Sequence, residues 1–301
     1  MFNYNHLYYF FVTARFGSVT QAAEHLRTSQ SSLSTQLKTL EAALGRELFK
    51  KVGRHLQLTH DGQIVLGYCR RAFEVMDELG DFLNNSNQSK GPRISIGVTN
   101  EIERPFITDM IAGILQSKAP KEQPMIRMIS ATQANLESRL ALHELDYCIT
   151  NHQIHDENAI VVCEALLPIV LVGKPALVKV ARGATNAQNA LKSLDCGLVL
   201  PAEDLRLRHE VDNYIQKYKI KKNVVFESNI LSAVTRAITD GVGVGFIPFP
   251  YVRNQIEQRE LVILGPERLW DHKFFLVTTA HRERAAFTKE IAQQLSQSAN
   301  I

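Results

Sequence analysis

Apolar positions in the first sixty residues recur three and four apart, in short runs broken by turn residues. From His6 to Arg15, Leu7, Phe10, Phe11 and Ala14 share one helical face, and Gly17 ends the run. Ser18 followed by Gln21 is a capping-box pattern, and the helix it opens buries Val19, Ala22, Ala23 and Leu26. Ala22 and Ala23 are small enough for another helix to cross closely. Arg27 and Thr28 form a short turn, and Ser29 is a natural N-cap for a third helix with the stripe Leu33, Leu37, Leu40 and Leu44. Between Leu48 and Thr59 the period falls to two. There "LFKKVGRHLQLT" reads as a hairpin bent at Gly53, with Leu56 and Leu58 alternating.

From Asp61 the helical period returns. Val65, Tyr68, Ala72, Val75, Leu79 and Phe82 repeat by three and four, thickened by Cys69, Met76 and Leu83. A spacing of about 3.5 residues held over some three heptads is a coiled-coil pattern. The helix is on the order of 35 Å long, too long to be covered by so small a head. A second copy of the chain would cover it, although a helix packed within one chain would show the same stripe. "NNSNQSKGP", from Asn84 to Pro92, reads as a linker. Beyond it, strands and helices alternate. Strands are expected at "RISIGV", "MIRMIS", "DYCIT", "IVVCEAL", "PIVLVG", "GLVLP", "NVVFE", "VGVGFIP", "ELVIL" and "KFFLVTT". One helix ends near Lys118 and another runs through His143. Further helices fall near Arg206–Tyr218, Ile230–Thr239 and Arg282–Ser296. The alternation predicts α/β layers with mostly parallel sheets.

The third helix poses a chemical question, because Ser29, Ser31, Ser32, Ser34 and Thr35 are mediocre helix formers. At about 100° per residue the face opposite the leucines centres on Ser31, Thr35, Lys38 and Ala42, with Ser34 at its flank and Gln30 at its start. This face is short, polar and hydrogen-bonding, a shape that fits a DNA major groove and reaches base edges. A serine-rich surface helix without that role would look the same. Three short helices joined by tight turns, with a following hairpin, match a winged helix-turn-helix. Lys50, Lys51 and Arg54 lie on the hairpin, where a wing meets phosphates. Up to Thr59 there are seven bases (Arg15, Arg27, Lys38, Arg46, Lys50, Lys51, Arg54) against three acids (Glu24, Glu41, Glu47). That surplus of four exceeds the net +3 of the whole chain, so basicity is concentrated around the groove-facing helix.

The run "GSVTQAAEHLRTSQSSLSTQLKTLEAALGRELFKKVGRHLQLTHDG" resembles the N-terminal signature of the LysR-type transcriptional regulators. It holds S-x-x-x-A-A-x-x-L, the serine-rich helix, L-E-x-x-L-G, L-F and L-T-x-x-G in order. Thr35 and Lys51 stand where that family often has arginine. The resemblance implies an α+β multidomain chain: a winged helix-turn-helix over 1–60, a dimerising linker helix and hinge over 61–90, and an effector-binding domain over 91–301. It further implies that this last domain has the periplasmic-binding-protein arrangement. Subdomain I would take 91–165 and 267–301 and subdomain II 166–266, with crossings near Leu166–Pro168 and Gly265–Pro266. The implied partners are double-stranded DNA with a pseudo-palindromic operator, a small-molecule or ion effector, and further copies of the chain as a dimer and a dimer of dimers. The segments "NYNHLYYFF" and "LPAEDLRLRHEVDNYIQKYKI" further resemble the branch that regulates sodium–proton antiporters.

Ligands of α/β sheets sit beyond the strands' C-terminal ends. Those positions are Thr99, Asn100, Ser130, Thr132, Asn151, Ser228, Asn229 and Phe246, and the resemblance carries effector contacts to them. Caps and turns use the same residue types. Other chemistry is sparse. Gly241, Gly243 and Gly245 lie between a helix and a strand, the wrong order for a nucleotide loop, and read as a close-packed turn. His143, His152 and His155 with Asp146 read as surface groups rather than a metal site. Cys69, Cys148, Cys163 and Cys196 form no close pair, which suits a reducing cytoplasm. The chain shows no membrane span and no nucleophile–base set, so no cofactor, metal or catalysis is expected. At 301 residues, 45% hydrophobic and 22% charged, two or more ordinary globular domains are expected. The competing reading is an α/β ligand-binding protein or enzyme whose head binds another protein. If Arg54 meets a phosphate, Arg54→Ala should flatten the logarithmic salt dependence of DNA binding by about one unit, measured by fluorescence anisotropy across a salt series.

Overall fold

A computed structural model describes residues 3–52, 55–83, 92–120, 122–154, 159–177, 197–220, 223–280 and 286–299. Gly53, Arg54, most of the 84–92 linker, His155 and Cys196 lie outside them, as do the side chains of Phe82 and Leu83. Two compact units divide the chain: Met1–Pro92 with Ser138–Leu145, and Arg93–Glu137 with Asp146–Ile301.

The first unit opens with α1 (Tyr4–Phe16), two residues earlier than the apolar pattern begins, because Asn3 caps it through the Asn5 N–H at 2.9 Å. Gly17 ends it at φ 62°, a backbone that only glycine adopts freely. In α2 (Val19–His25) the Ser18 hydroxyl accepts from the Gln21 N–H, and in α3 (Gln30–Leu44) Ser29 accepts from Ser32 at 3.1 Å. Leu33, Leu37 and Leu40 are buried against Phe10, Val12, Ala22 and Ala23, each fully buried leucine contributing about 2 kcal/mol. Strands β1 (Phe49–Val52) and β2 (His55–Leu58) form the expected hairpin, with Phe49 opposite Leu58 and Val52 opposite His55. The Thr59 hydroxyl then accepts from the Gly62 N–H at 2.9 Å and starts α4 (His60–Leu83). Gly62 is needed for space: a β-carbon there would lie 2.0 Å from the Leu48 carbonyl oxygen.

In the second unit, β3 (Arg93–Thr99) leads through α5 (Arg104–Gln116) to β4 (Met125–Ala131), and through α6 (Gln133–Ala141) to β5 (Tyr147–Thr150). Both β4 and β5 pair parallel to β3. The next strand, β6, runs unbroken from Ala159 to Gly173. It merges the two strands expected on either side of Pro168. Proline is tolerated there because β6 has one ladder neighbour at that point and gains its second from Ile169 onward. The other half comprises β7 (Leu198–Pro201), α7 (Arg206–Lys217), β8 (Val224–Ser228), α8 (Leu231–Asp240) and β9 (Gly245–Pro248). A short helix α9 (Arg253–Glu257), β10 (Val262–Ile263), β11 (Trp270–Thr279) and α10 (Ala286–Ala299) complete the described elements.

The parallel pairing expected from the alternation holds for β3 with β4 and β5, and for β7 with β8. It does not hold for the strands shared by the two halves. β6 pairs antiparallel with β11 over one stretch, and with β9 and β10 over the next. A strand running out of one half and another running back must be antiparallel neighbours. The glycine run behaves as a packed turn. Gly241 caps α8 at φ 82°, while β-carbons on Gly243 and Gly245 would lie 2.4 and 2.7 Å from the carbonyl oxygens of Gly197 and Val199. Cys69, Cys148 and Cys163 are free thiols.

Two polar clusters fix α7. The buried Arg208 meets Glu227 at 2.6 Å, Asp212 at 3.1 Å and the Pro201 carbonyl at 2.7 Å. On the facing turn, Glu210 accepts from Trp270 Nε1 at 3.0 Å and contacts His272 Nδ1 at 2.8 Å. Burial pushes the Glu210 carboxyl up, but the bonds from His272 and Trp270 and the charges of His272 and Arg206 outweigh it and hold it below the usual carboxylate range.

Gly62→Ala should cost about 2 kcal/mol or more through overpacking against Leu48, read as a lower denaturant midpoint. The depressed Glu210 carboxyl stabilises the fold fully above its unfolded value of about 4.3, and that contribution disappears as pH falls through the lower folded value. Urea unfolding at a series of acidic pH values should therefore show a shallower loss of stability in Glu210→Gln than in the unaltered chain.

Candidate nucleic-acid interface and ligand cleft

On α3, Gln30, Ser31, Thr35 and Lys38 are exposed, and Ser34 is half-buried at the flank. The hydroxyls are held by local bonds. Ser31 Oγ lies 3.1 Å from Ser29 Oγ, Thr35 Oγ1 donates to the Ser31 carbonyl at 3.0 Å, and Thr39 Oγ1 donates to the Thr35 carbonyl at 2.9 Å. A hydroxyl that donates backward keeps lone pairs outward for a donor on the facing surface. The first turn of α3 contains no acid, so its N-terminal partial positive charge is left for an anion such as phosphate. Lys50 and Lys51 are exposed on β1; Arg54 lies outside the described residues.

One residue that the pattern analysis passed over fixes this arrangement. Glu41, on the flank of α3, accepts from the backbone N–H groups of Leu48 and Phe49 at 2.8 and 3.1 Å. A single carboxylate thus ties α3 to the start of the hairpin. The signal was present in L-E-x-x-L-G, where an acid interrupts a leucine run. Arg46 adds an exposed pair with Asp61 at 2.9 Å.

Along one side of α4, Tyr68, Val75, Met76 and Leu79 are exposed. Val65, Tyr68, Cys69, Ala72, Phe73, Val75 and Met76 line a groove of about 730 Å3 with Tyr4, Leu7 and Leu44. Cys69 and Val65 pack against the core of the head, and the stripe beyond them, at Val75, Met76 and Leu79, is left exposed within its own unit.

In the second unit, Asn100, Ser130 and Asn229 come together in a cavity of about 430 Å3, lined also by Ile102, Glu103, Arg104, Ile230, Leu231 and Ser232. Ser130 donates to Asn100 Oδ1 at 2.8 Å. Thr99 and Asn151 are buried at the ends of β3 and β5, and Thr99 Oγ1 and Asn151 Oδ1 have no hydrogen-bond partner among the described residues. The other three positions stand apart from that lining. The Thr132 carbonyl accepts from the Leu136 N–H at the start of α6, and Ser228 Oγ from the Ile230 N–H in a turn. Phe246 is fully buried, its ring 5.5 Å from Tyr214 and 5.7 Å from Trp270. Phe246 ends in the core because β9 lies inside the sheet stack, which its position in the sequence did not reveal.

The loop between β3 and α5 supplies two carboxylates that the strand-end reasoning missed. Glu101 accepts from Asn151 Nδ2 at 2.8 Å and from the Arg206 N–H at 3.0 Å, and contacts His152 Nε2 at 3.0 Å. The Arg206 guanidinium in turn donates to the Asn151 carbonyl. Glu103 is buried and accepts from the Thr235 hydroxyl of α8. Burial pushes its carboxyl above the ordinary carboxylate value, and the Thr235 bond offsets only part of that. Both acids extend from the first half of the unit to helices of the second. No group of three or more His, Cys, Asp or Glu able to hold a metal occurs among the described residues, nor does a helix long and apolar enough to cross a membrane.

Residues 4–63 match the model of the bacterial regulatory helix-turn-helix protein, lysR family, and residues 87–300 match the LysR substrate binding domain. The nitrogen assimilation regulatory protein nac of Escherichia coli is 27% identical over 82% of this chain and 78% of its own. The transcriptional activator protein NhaR of the same organism is 30% identical over 50% of this chain and 48% of its own. The crystal structure of ArgP from Mycobacterium tuberculosis shares the fold, with a TM-score of 0.68 at 15% identity over 100% of this chain and 98% of that one. A helix-turn-helix head followed by a mixed α/β domain is the order these two matches give, and the chain belongs to the LysR family of bacterial transcriptional regulators.

Proposed function

We propose that this regulator reads a specific DNA sequence through Gln30, Ser31, Ser34, Thr35 and Lys38 in the major groove, with Lys51 and Arg54 on flanking phosphates. The observation that carries the reading is the outer face of α3: short hydroxyl side chains, no acid in the first turn, and buried leucines behind. The domain division is 1–60, 61–90 and 91–301, the last in subdomains of 91–165 with 267–301 and of 166–266. Two copies pair along α4, whose exposed apolar stripe a second chain covers, and pairs assemble further into a dimer of dimers. Two heads double the base readout that one helix supplies and call for a pseudo-palindromic operator.

A small molecule or ion enters between the halves of the second unit, and Asn100, Ser130 and Asn229 contact it, with Thr99 and Asn151 offering unpartnered oxygens at the ends of β3 and β5. It acts by favouring one arrangement of the halves over another, since equal affinity for both shifts nothing. The protein works in the cytoplasm and carries out no catalysis. Its genes are those of sodium–proton antiport or a stress response, as the resemblance of the sequence implies.

The double substitution Ser31→Ala with Thr35→Ala should erode preference for the operator over random duplex by roughly tenfold to a hundredfold, the value of one good base contact. Fluorescence anisotropy measures it, with thermal unfolding as the control. Unchanged preference places the reading surface elsewhere, and no preference in the unaltered protein favours a protein-binding head.

A further inference from the structure

The cavity at the ends of β3, β4 and β8 holds opposite charges that are not spent on each other. Glu103 is 5% exposed, yet no ion pair among the described residues involves it, and its carboxylate is met by the neutral Thr235 hydroxyl. A carboxylate buried without a cation is costly, and burial indeed pushes its protonation upward. Its sequence neighbour Arg104 lines the same cavity from an exposed position, and no ion pair among the described residues involves its guanidinium.

Two helices add positive character. Glu103 and Ile230 are the N-cap residues of α5 and α8, and neither side chain bonds the first turn of its helix. Residues of both first turns (Arg104, Leu231 and Ser232) line the cavity, so two helix N-termini bring partial positive charge to one space. Between these ends stand Asn100, Ser130, Asn229 and Ser232, uncharged groups able to donate and accept. A volume of about 430 Å3 lies in the range of small-molecule sites.

A cation alone would satisfy Glu103 and leave Arg104 and the helix ends facing it. An anion alone would satisfy those and sit against a buried carboxylate. We infer that the effector is a small zwitterion, an amino acid whose ammonium group meets Glu103 and whose carboxylate lies toward Arg104 and the first turns of α5 and α8. This rests on the cleft being the effector site proposed above.

The test uses the full-length protein and isothermal titration with the twenty standard L-amino acids. For each one that binds, the matched amine without the carboxylate and the matched acid without the amine are titrated too. At least one amino acid should bind, and loss of either charged group should weaken binding by at least about tenfold, because loss of the ammonium leaves Glu103 buried without a cation and loss of the carboxylate leaves two helix N-termini without an anion. Glu103→Gln should weaken the amino acid by a similar factor and leave the amine-free acid unchanged. Binding by no amino acid, equal binding by the amine-free acid, or indifference to Glu103→Gln in the folded variant each overturns the inference. Should that variant fail to fold, the matched analogues on the unaltered protein decide alone. Operator binding without ligand is measured in parallel. Specific binding there with no amino-acid preference rejects the ligand class and retains the regulator, whereas loss of operator specificity rejects the regulator itself.

Discussion

The Glu41 carboxylate, bonded to two successive N–H groups at the start of the hairpin, is the constraint on which the head depends. A helix with small polar side chains has reach only if its backbone comes close to its target, so everything beside it must be fixed. Glu41 sets the hairpin against α3, and Thr59 and Gly62 set α4 against the hairpin. The 2.0 Å gap that a β-carbon at Gly62 would create shows how little slack remains. Helix, wing and stalk therefore form one piece built from a carboxylate, a hydroxyl and a missing side chain. A charge-assisted bond to a backbone N–H is stronger than a neutral one and less mobile than a surface ion pair.

The second unit solves a different problem with a similar device. There β6 pairs antiparallel with β11 along one stretch and with β9 and β10 along the next, around a single buried apolar core. The packing there is apolar as well as polar, with the Phe106 ring 5.7 Å from Tyr251 and the Trp270 ring 5.0 Å from Tyr214. Glu101 reaches the start of α7, Glu103 reaches α8, and Glu210 returns from α7 to β11. Polar contacts of this kind have a defined geometry and a modest net strength.

The periodic elements were legible in the sequence because their physical cause is local. Ser18 and Ser29 cap helices wherever an N-terminus leaves N–H groups unpaired, and the leucines of α3 lie one helical turn apart whatever surrounds them. Hence the three helices, the hairpin, the long stalk and the strand–helix alternation were all visible. Pro168 misled, since a proline interrupts a strand only where its nitrogen faces a partner strand, and at Pro168 one side of β6 has no partner. Phe246 and Glu103 show the reverse case. Phe246 lies within β9 and Glu103 just before α5, and nothing local separates a residue sealed in the core from one facing a cavity.

Sequence alone determined the family, the outward chemistry of α3 and the apolar seam of α4, because each is a repeat within a few turns of one helix. Tertiary structure alone decided which strand ends meet in one cavity and which buried carboxylate faces it without a cation. Those facts depend on residues far apart in the chain, such as Glu103 and Thr235, whose proximity arises only when the shared strands bring the two halves together.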